Sequence, residues 1–311
     1  MSVSYNPAAL FKGARATFIE SLAAQPPSFV DRVCTYVSSE SADEDYAWIG
    51  ESAQMSKIVD ELQFNPLSDA RYTLTNATYG SGVQFKRTDI TNQKNAAISG
   101  RIQGLAETAA RHPDQLISEA LINGTSATLG LCYDGGAFFT ATHPARGQQT
   151  ATQSNLLTGN GTTTANCATD IGLAVAALMG FKGENNEPMN SGMSRFFIMV
   201  PSDGTIIKST KEAIGASIIS NTSNVQLSGM VWDYIVNPRL NSDSATDYYI
   251  GIQDAALRGL IFQDRQPLTL EDQEGSASDV AFVKEIYRYK ARAERAVGYG
   301  RWQRLVKINN A

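Results

Sequence analysis

Residues 89–123 read DITNQKNAAISGRIQGLAETAARHPDQLISEALIN, and the rest of the chain is organised around this stretch. Ile98, Ile102, Leu105 and Ala109 recur at helical spacing, so they share one face of a helix that turns about every 3.6 residues. Thr88 or Asp89 supplies an N-cap oxygen at its start. His112-Pro113 predicts an interruption, because the residue before proline avoids the helical region. Pro113 suits the first position of a second piece, with Leu116, Ile117, Ala120 and Leu121 on its inner face and Asn123-Gly124 as its end. The pattern predicts a long, kinked spine.

Working outward towards the C-terminus, residues 279–295, DVAFVKEIYRYKARAER, alternate strictly. Tyr287, Tyr289, Ala291 and Ala293 fall on one side, with Arg288, Lys290, Arg292 and Glu294 opposite. Period two over this length predicts a strand with one dry and one wet face, which can pack on the spine. GLIFQ before it and GYGRWQRLVKI after it continue the β pattern.

On the N-terminal side, RYTLTNATYG and SGVQFKR alternate on either side of Gly80-Ser81-Gly82, which predicts a β-hairpin. Residues 45–88 therefore read as a long, polar, two-stranded excursion with little core of its own. An isolated hairpin is marginal in water, so this one needs a partner surface. In residues 1–32, Leu10, Phe11, Ala14, Phe18, Ile19 and Leu22 recur at helical spacing until Pro26-Pro27 stops the helix. Two readings stay open here: an arm that docks on another subunit, or a helix packed on its own domain.

After the spine comes CYDGGAFFTATHPARG, with a turn expected at Asp134-Gly135-Gly136. Residues 148–168 are rich in Thr, Asn, Gln and Gly, which marks either a domain boundary or a long surface loop. Residues 169–255 alternate helices and strands: Asp170 is expected to cap IGLAVAALMGF, RFFIMV is a strand ended by Pro201, and Ser202-Asp203 caps TIIKSTKEAIGA. VWDYIV and DYYIGI are two further strands, and an α/β unit of this size can hold its own core.

Composition removes several function classes. With 26 basic against 31 acidic residues and a net charge of −5, the chain lacks the concentrated basic face that tight nucleic-acid binding needs. No run of eighteen apolar residues occurs, so no membrane span is expected, and the first residues lack the apolar core of a secretion signal. Cys34, Cys132 and Cys167 form no CxxC and read as reduced, buried thiols. The two histidines, His112 and His143, both precede proline. Cys132 and His143, with Asp134 as orienter, are a conceivable nucleophile–base set, but no family-specific motif surrounds them, and His143 reads as a turn residue before Pro144. Asp43, Glu44 and Asp45, like Glu271, Asp272 and Glu274, lack the spacing of a calcium loop. No catalytic, cofactor-binding or metal-ligating residue is expected.

The order of elements resembles the Hong Kong 97-type coat fold of tailed phages, an α+β fold of N-arm, E-loop, peripheral (P) domain with its spine helix, and axial (A) domain. The pieces DRVCTYVSS, YAWIGE, HPDQLISEAL, CYDGGAFFTATHP, GLIFQDRQP and RAVGYGRWQ are most similar, in that order, to the Mu-like major head subunit family. The resemblance implies an N-terminal arm over 1–32, an E-loop over 45–88, a P domain from 33–44, 89–147 and 256–311, and an A domain over 148–255. It further implies a major capsid protein that forms hexamers and pentamers of itself in the icosahedral head of a virion. The partners it implies are a portal, decoration proteins and loosely contacted double-stranded DNA, with assembly in the host cytoplasm. Some relatives carry an N-terminal scaffold segment that is cut off, but the early start of the fold here leads us to expect a separate scaffold protein and no N-terminal trimming. Phe11, Phe18, Trp48, Lys57, Tyr72, Tyr79 and Phe85 are the expected assembly contacts. An encapsulin-type compartment on the same fold is the alternative, and a Cys/His enzyme a more distant one. Some shells of this fold join Lys and Asn side chains covalently, and Lys57 lies in the E-loop, but the Mu-like branch is not expected to do so. Particles boiled in denaturant therefore run on a gel as one band at monomer mass; a ladder of multimers would show covalent joining.

Overall fold

The apolar stripe of the spine becomes a helix that runs straight through its proline. A computed structural model of the chain describes residues 7–46, 72–91, 95–219, 222–224, 229–273 and 283–310. In chain order its elements are α1 (Pro7–Ala23), α2 (Val30–Val33), β1 (Cys34–Ser38), β2 (Asp43–Asp45), β3 (Thr73–Thr75), β4 (Ala77–Lys86), α3 (Arg87–Thr91) and α4 (Asn95–Asn123). There follow β5 (Leu156–Thr158), α5 (Thr164–Gly180), β6 (Arg195–Val200), α6 (Gly204–Gly215), β7 (Ile218–Ile219), β8 (Thr222–Ser223), β9 (Val231–Val236), β10 (Tyr248–Ile252), β11 (Leu260–Gln273), β12 (Ile286–Tyr299) and β13 (Leu305–Asn309). Among the described residues, no helix is long and apolar enough to cross a membrane.

Two sheets carry the fold. The first has the order β1-β11-β12-β4, the second β5-β13-β10-β6-β9. The α4 helix serves both. Its first half buries Ile98, Ile102, Leu105 and Ala109 against Phe85 of β4, Tyr289 and Ala291 of β12, and Ala14 and Phe18 of α1. Its second half buries Ile117 and Leu121 in the larger core formed by α5, α6 and the second sheet. Burial on both sides of Pro113 explains why the expected interruption is absent. A mid-helix proline costs about 3 kcal/mol, and two buried faces outweigh that.

The alternation of β12 is realised as predicted: Tyr287, Tyr289, Ala291 and Ala293 are buried, while Arg288 and Lys290 are exposed. The expected hairpin at Gly80-Ser81-Gly82 is not formed. β4 runs straight through these residues and pairs antiparallel with β12, with Gly82 opposite Lys290 and Gly80 opposite Arg292. A Cβ at Gly82 would lie 3.2 Å from the Tyr289 carbonyl oxygen, so glycine here marks a close approach of strands rather than a turn. The incoming side of the excursion is instead the short pair β2–β3, with Asp43 opposite Thr75 and Asp45 opposite Thr73.

One further expectation changes. Asp170 does not start a helix; α5 begins at Thr164, where the Thr163 side chain accepts the Asn166 N–H, and Asp170 lies within it, accepting from the backbone N–H of Asn160. The Thr/Asn-rich stretch 148–168 thus contains β5, a helix cap and the first turn of α5. β13 sits in the second sheet, between β5 and β10. After β12 the chain turns at Gly300 through a short 3-10 segment at Trp302–Arg304, which redirects Leu305, Val306 and Ile308 into the second core. Finally, of the two readings of the N-terminal helix, α1 lies on α4 of its own chain: Phe18 is 3% exposed.

Replacing Phe18 by Ala removes a buried aromatic ring from the α1–α4–β12 cluster and is expected to cost about 3–5 kcal/mol. Exposed Lys12 on the same helix, replaced by Ala, should stay within about 0.5 kcal/mol. Urea unfolding of both variants checks the difference; equal midpoints would show that α1 is not packed.

Candidate functional site

The most densely bonded polar group follows α4. Leu131 and Ala137 form a bridge that closes the Asp134-Gly135-Gly136 turn, and Gly135 takes a φ of 82°, a left-handed value that favours glycine. The turn aims Asp134 inward. Its Oδ1 accepts the Gly136 N–H at 3.0 Å and the Cys132 thiol at 2.8 Å. Its Oδ2 lies 2.6 Å from His143 Nδ1. His143 Nε2 is 3.0 Å from Asn155 Oδ1. The ring stacks on Trp302 at 3.8 Å and 2°, held between the loop and the C-terminal segment. His143 is therefore not a mere turn residue, and at 1% exposure it is part of the core. Its stacking partner, about 160 positions away in the chain, could not be read from local sequence.

This arrangement differs from a nucleophile–base pair. The carboxylate stands between thiol and imidazole, whereas catalysis needs the base against the nucleophile. Burial, and then the Asp134 carboxylate, push the Cys132 thiol well above its ordinary range, so it stays protonated. Burial also opposes the Asp134 charge, but hydrogen bonds from His143, Cys132 and the Gly136 N–H outweigh it and hold the carboxyl down to about 2. Among the described residues, Cys132, Asp134 and His143 are one group of side chains close enough to hold a metal ion.

The expected assembly contacts separate into three sets. Phe18 and Phe85 are 3% and 5% exposed and belong to their own subunit's core, where Phe85 meets Tyr289. Trp48 and Lys57 lie outside the described residues, as does the side chain of Phe11 in α1. Tyr72 and Tyr79 are partly exposed. Tyr72 takes the Tyr299 N–H on its hydroxyl at 3.1 Å, tying the excursion's return to the end of β12. Tyr79 lies against His112, ring centroids 4.3 Å apart and tilted by 56°, beside a cavity of about 370 Å³ between α4, β4 and β12. Burial and then Arg295 lower the pKa of His112, which keeps that imidazole neutral.

Exposed apolar side chains that the sequence did not single out are Tyr36, Leu129, Leu173, Ile218 and Val231, each more than half exposed. Ile218 stands on the small β7–β8 hairpin, and Val231 on the edge strand β9. Their hydrophobicity was visible in the sequence, but which side of each element faces solvent was not.

A family model for the Mu-like prophage major head subunit gpT matches residues 8–172 and 231–311. The Mu-like prophage FluMu major head subunit of Haemophilus influenzae is 30% identical over 136 residues, 44% of this chain and 43% of that protein. The major capsid protein of Escherichia phage Mu is 26% identical over 282 residues, 91% of this chain and 67% of that protein. The match thus spans less than half of the Haemophilus relative. Among solved structures, a chain of the bacteriophage JBD30 procapsid superposes with a TM-score of 0.57 at 20% identity, covering 98% of this chain and 75% of that one. The fold is the Hong Kong 97-like α+β coat fold.

All three cysteines are buried and free. A thiol reagent at pH 8 should modify none of them in the native chain within minutes, and all three in denaturant. Rapid labelling of Cys132 in the native state would reopen the enzyme reading.

Proposed function

The chain belongs to the Mu-like prophage major head subunit family, and from this premise we propose that it is the coat subunit of a tailed-phage head, enclosing double-stranded DNA in an icosahedral shell. The observation that carries this reading is the family match, which covers both ends of the described fold, the whole first sheet and the second sheet except β6. In this reading the chain works by assembly and performs no catalysis. Residues 148–255 build rings, and the body formed around α4 and the first sheet joins one ring to the next. Residues 45–88 reach across a neighbouring subunit through Trp48 and Lys57, while Tyr72 and Tyr79 anchor the base of the excursion to their own subunit. Many weak contacts then add by multivalency and closed symmetry.

The slightly acidic balance, net −5, suits a container that must be filled and emptied, since a basic lining would hold DNA. Contact with packaged DNA is loose in this account. A separate scaffold protein, a portal and decoration proteins complete the set of partners, and assembly takes place in the host cytoplasm.

Expressed with a candidate scaffold, the chain should give closed shells of uniform size by negative-stain microscopy. A soluble monomer with and without scaffold would overturn the coat reading. Shells filled with one cargo protein rather than nucleic acid would move the assignment to a compartment of the encapsulin type.

A further inference from the structure

The Cys132–Asp134–His143 cluster brings a thiol, a carboxylate and an imidazole nitrogen within 4.8 Å of one another in the core. Asn155 determines which way the His143 ring is used. The Asn155 amide nitrogen donates to the carbonyls of Phe138 at 2.7 Å and Leu305 at 3.2 Å, so its oxygen must be the atom facing His143. That oxygen also accepts the Thr140 N–H at 3.1 Å. It can therefore only accept from His143 Nε2, which carries a proton. Nδ1, 2.6 Å from Asp134 Oδ2, is then the ring nitrogen that faces the carboxylate. As it stands that contact is bridged by a proton, and a metal ion could displace it.

We propose that a divalent metal ion of the zinc class takes the place of that proton, bound by Cys132 Sγ, Asp134 and His143 Nδ1 with its fourth position open. The three donor atoms lie within 4.8 Å of one another. Ion–ligand distances of about 2.0–2.3 Å ask for donors roughly 3–4 Å apart, so only small side-chain rotations are needed. Sulfur, imidazole nitrogen and carboxylate oxygen together suit zinc better than magnesium or calcium. The second shell is in place. The ligating ring donates its other N–H to a fixed carbonyl oxygen and is clamped against Trp302. Coordination releases the thiol proton of Cys132 to solvent; thiolate, carboxylate and a neutral imidazole then balance the two positive charges of the ion. The rival occupant is a single proton, which makes His143 an imidazolium and leaves the thiol intact.

The ion would cross-link the turn at Asp134 to the strand of residues leading into β5, at the junction where β13 and Trp302 meet the loop after α4. A metal here would stabilise the subunit, and the site lies within one chain, so its test stands whether or not shells form.

Cobalt(II) added to the full chain, after chelator treatment and with circular dichroism confirming that it remains folded, is the deciding probe. The expected result is a near-ultraviolet sulfur-to-cobalt charge-transfer band with visible bands of a tetrahedral site, saturating at roughly one ion per chain and absent in Cys132→Ala. Absence of these bands in the native sequence, or their persistence in Cys132→Ala, overturns the proposal and leaves a proton-held pair. If the chelated chain or the variant does not fold, elemental analysis of the untreated chain decides: about one zinc per chain supports the centre, and trace zinc overturns it.

Discussion

The fold depends on one constraint: α4 must bury its two halves in two different cores. Its first half has its stripe against β4, β12 and α1, and its second half has Ile117 and Leu121 in the core of the second sheet. A helix this long is a stiff beam, so whatever is packed on one end is oriented relative to the other. Pro113, near the middle, removes one backbone hydrogen bond without breaking the beam, because burial holds both sides. The long pair β11–β12 runs alongside it, and β12 supplies Tyr289 and Ala291 to the first core.

Around this beam, buried charge and polarity hold the C-terminal segment in place. Lys307 in β13 is almost fully buried and pairs with Asp243 at 2.9 Å and Asp247 at 3.1 Å. Such a charge is tolerable only because both carboxylates are there; loss of one partner from a buried set is far more costly than its net contribution suggests. Asn155 and Asn190 add directional bonds, donating to the carbonyls of Leu305 and Gln303. These bonds give the last strand one register in the second sheet. Apolar packing alone, being non-directional, would leave that register less determined.

In the proposed coat role the division between core and surface has a functional meaning. Phe18 and Phe85, which at sequence level looked available to neighbours, are consumed in making the subunit rigid. The apolar side chains left outside are scattered over different elements: Tyr36 on β1, Leu173 on α5, Ile218 on β7 and Val231 on β9. Scattered small patches suit weak, reversible contacts. Assembly through many of them permits correction of errors, and closure makes the sum strong.

The sequence by itself determined the periods and the order of elements. The helical stripe from Ile98 to Ala109, the strict alternation from Tyr287 to Ala293, the Asp203 cap and the order of elements behind the family resemblance are local properties of neighbouring residues, and each appears in the structure. Tertiary structure alone decided what each glycine, proline and polar residue was for. Gly80 and Gly82 look like a turn until β12 is placed against them, and Asp170 looks like a cap until Asn160 is seen to bind it. β13 enters the second sheet, and His143 meets Asp134, Asn155 and Trp302, only through the path of the whole chain. Periodicity is written in adjacent side chains, whereas close approach and buried pairing depend on partners far along the chain, whose positions only the packed fold supplies.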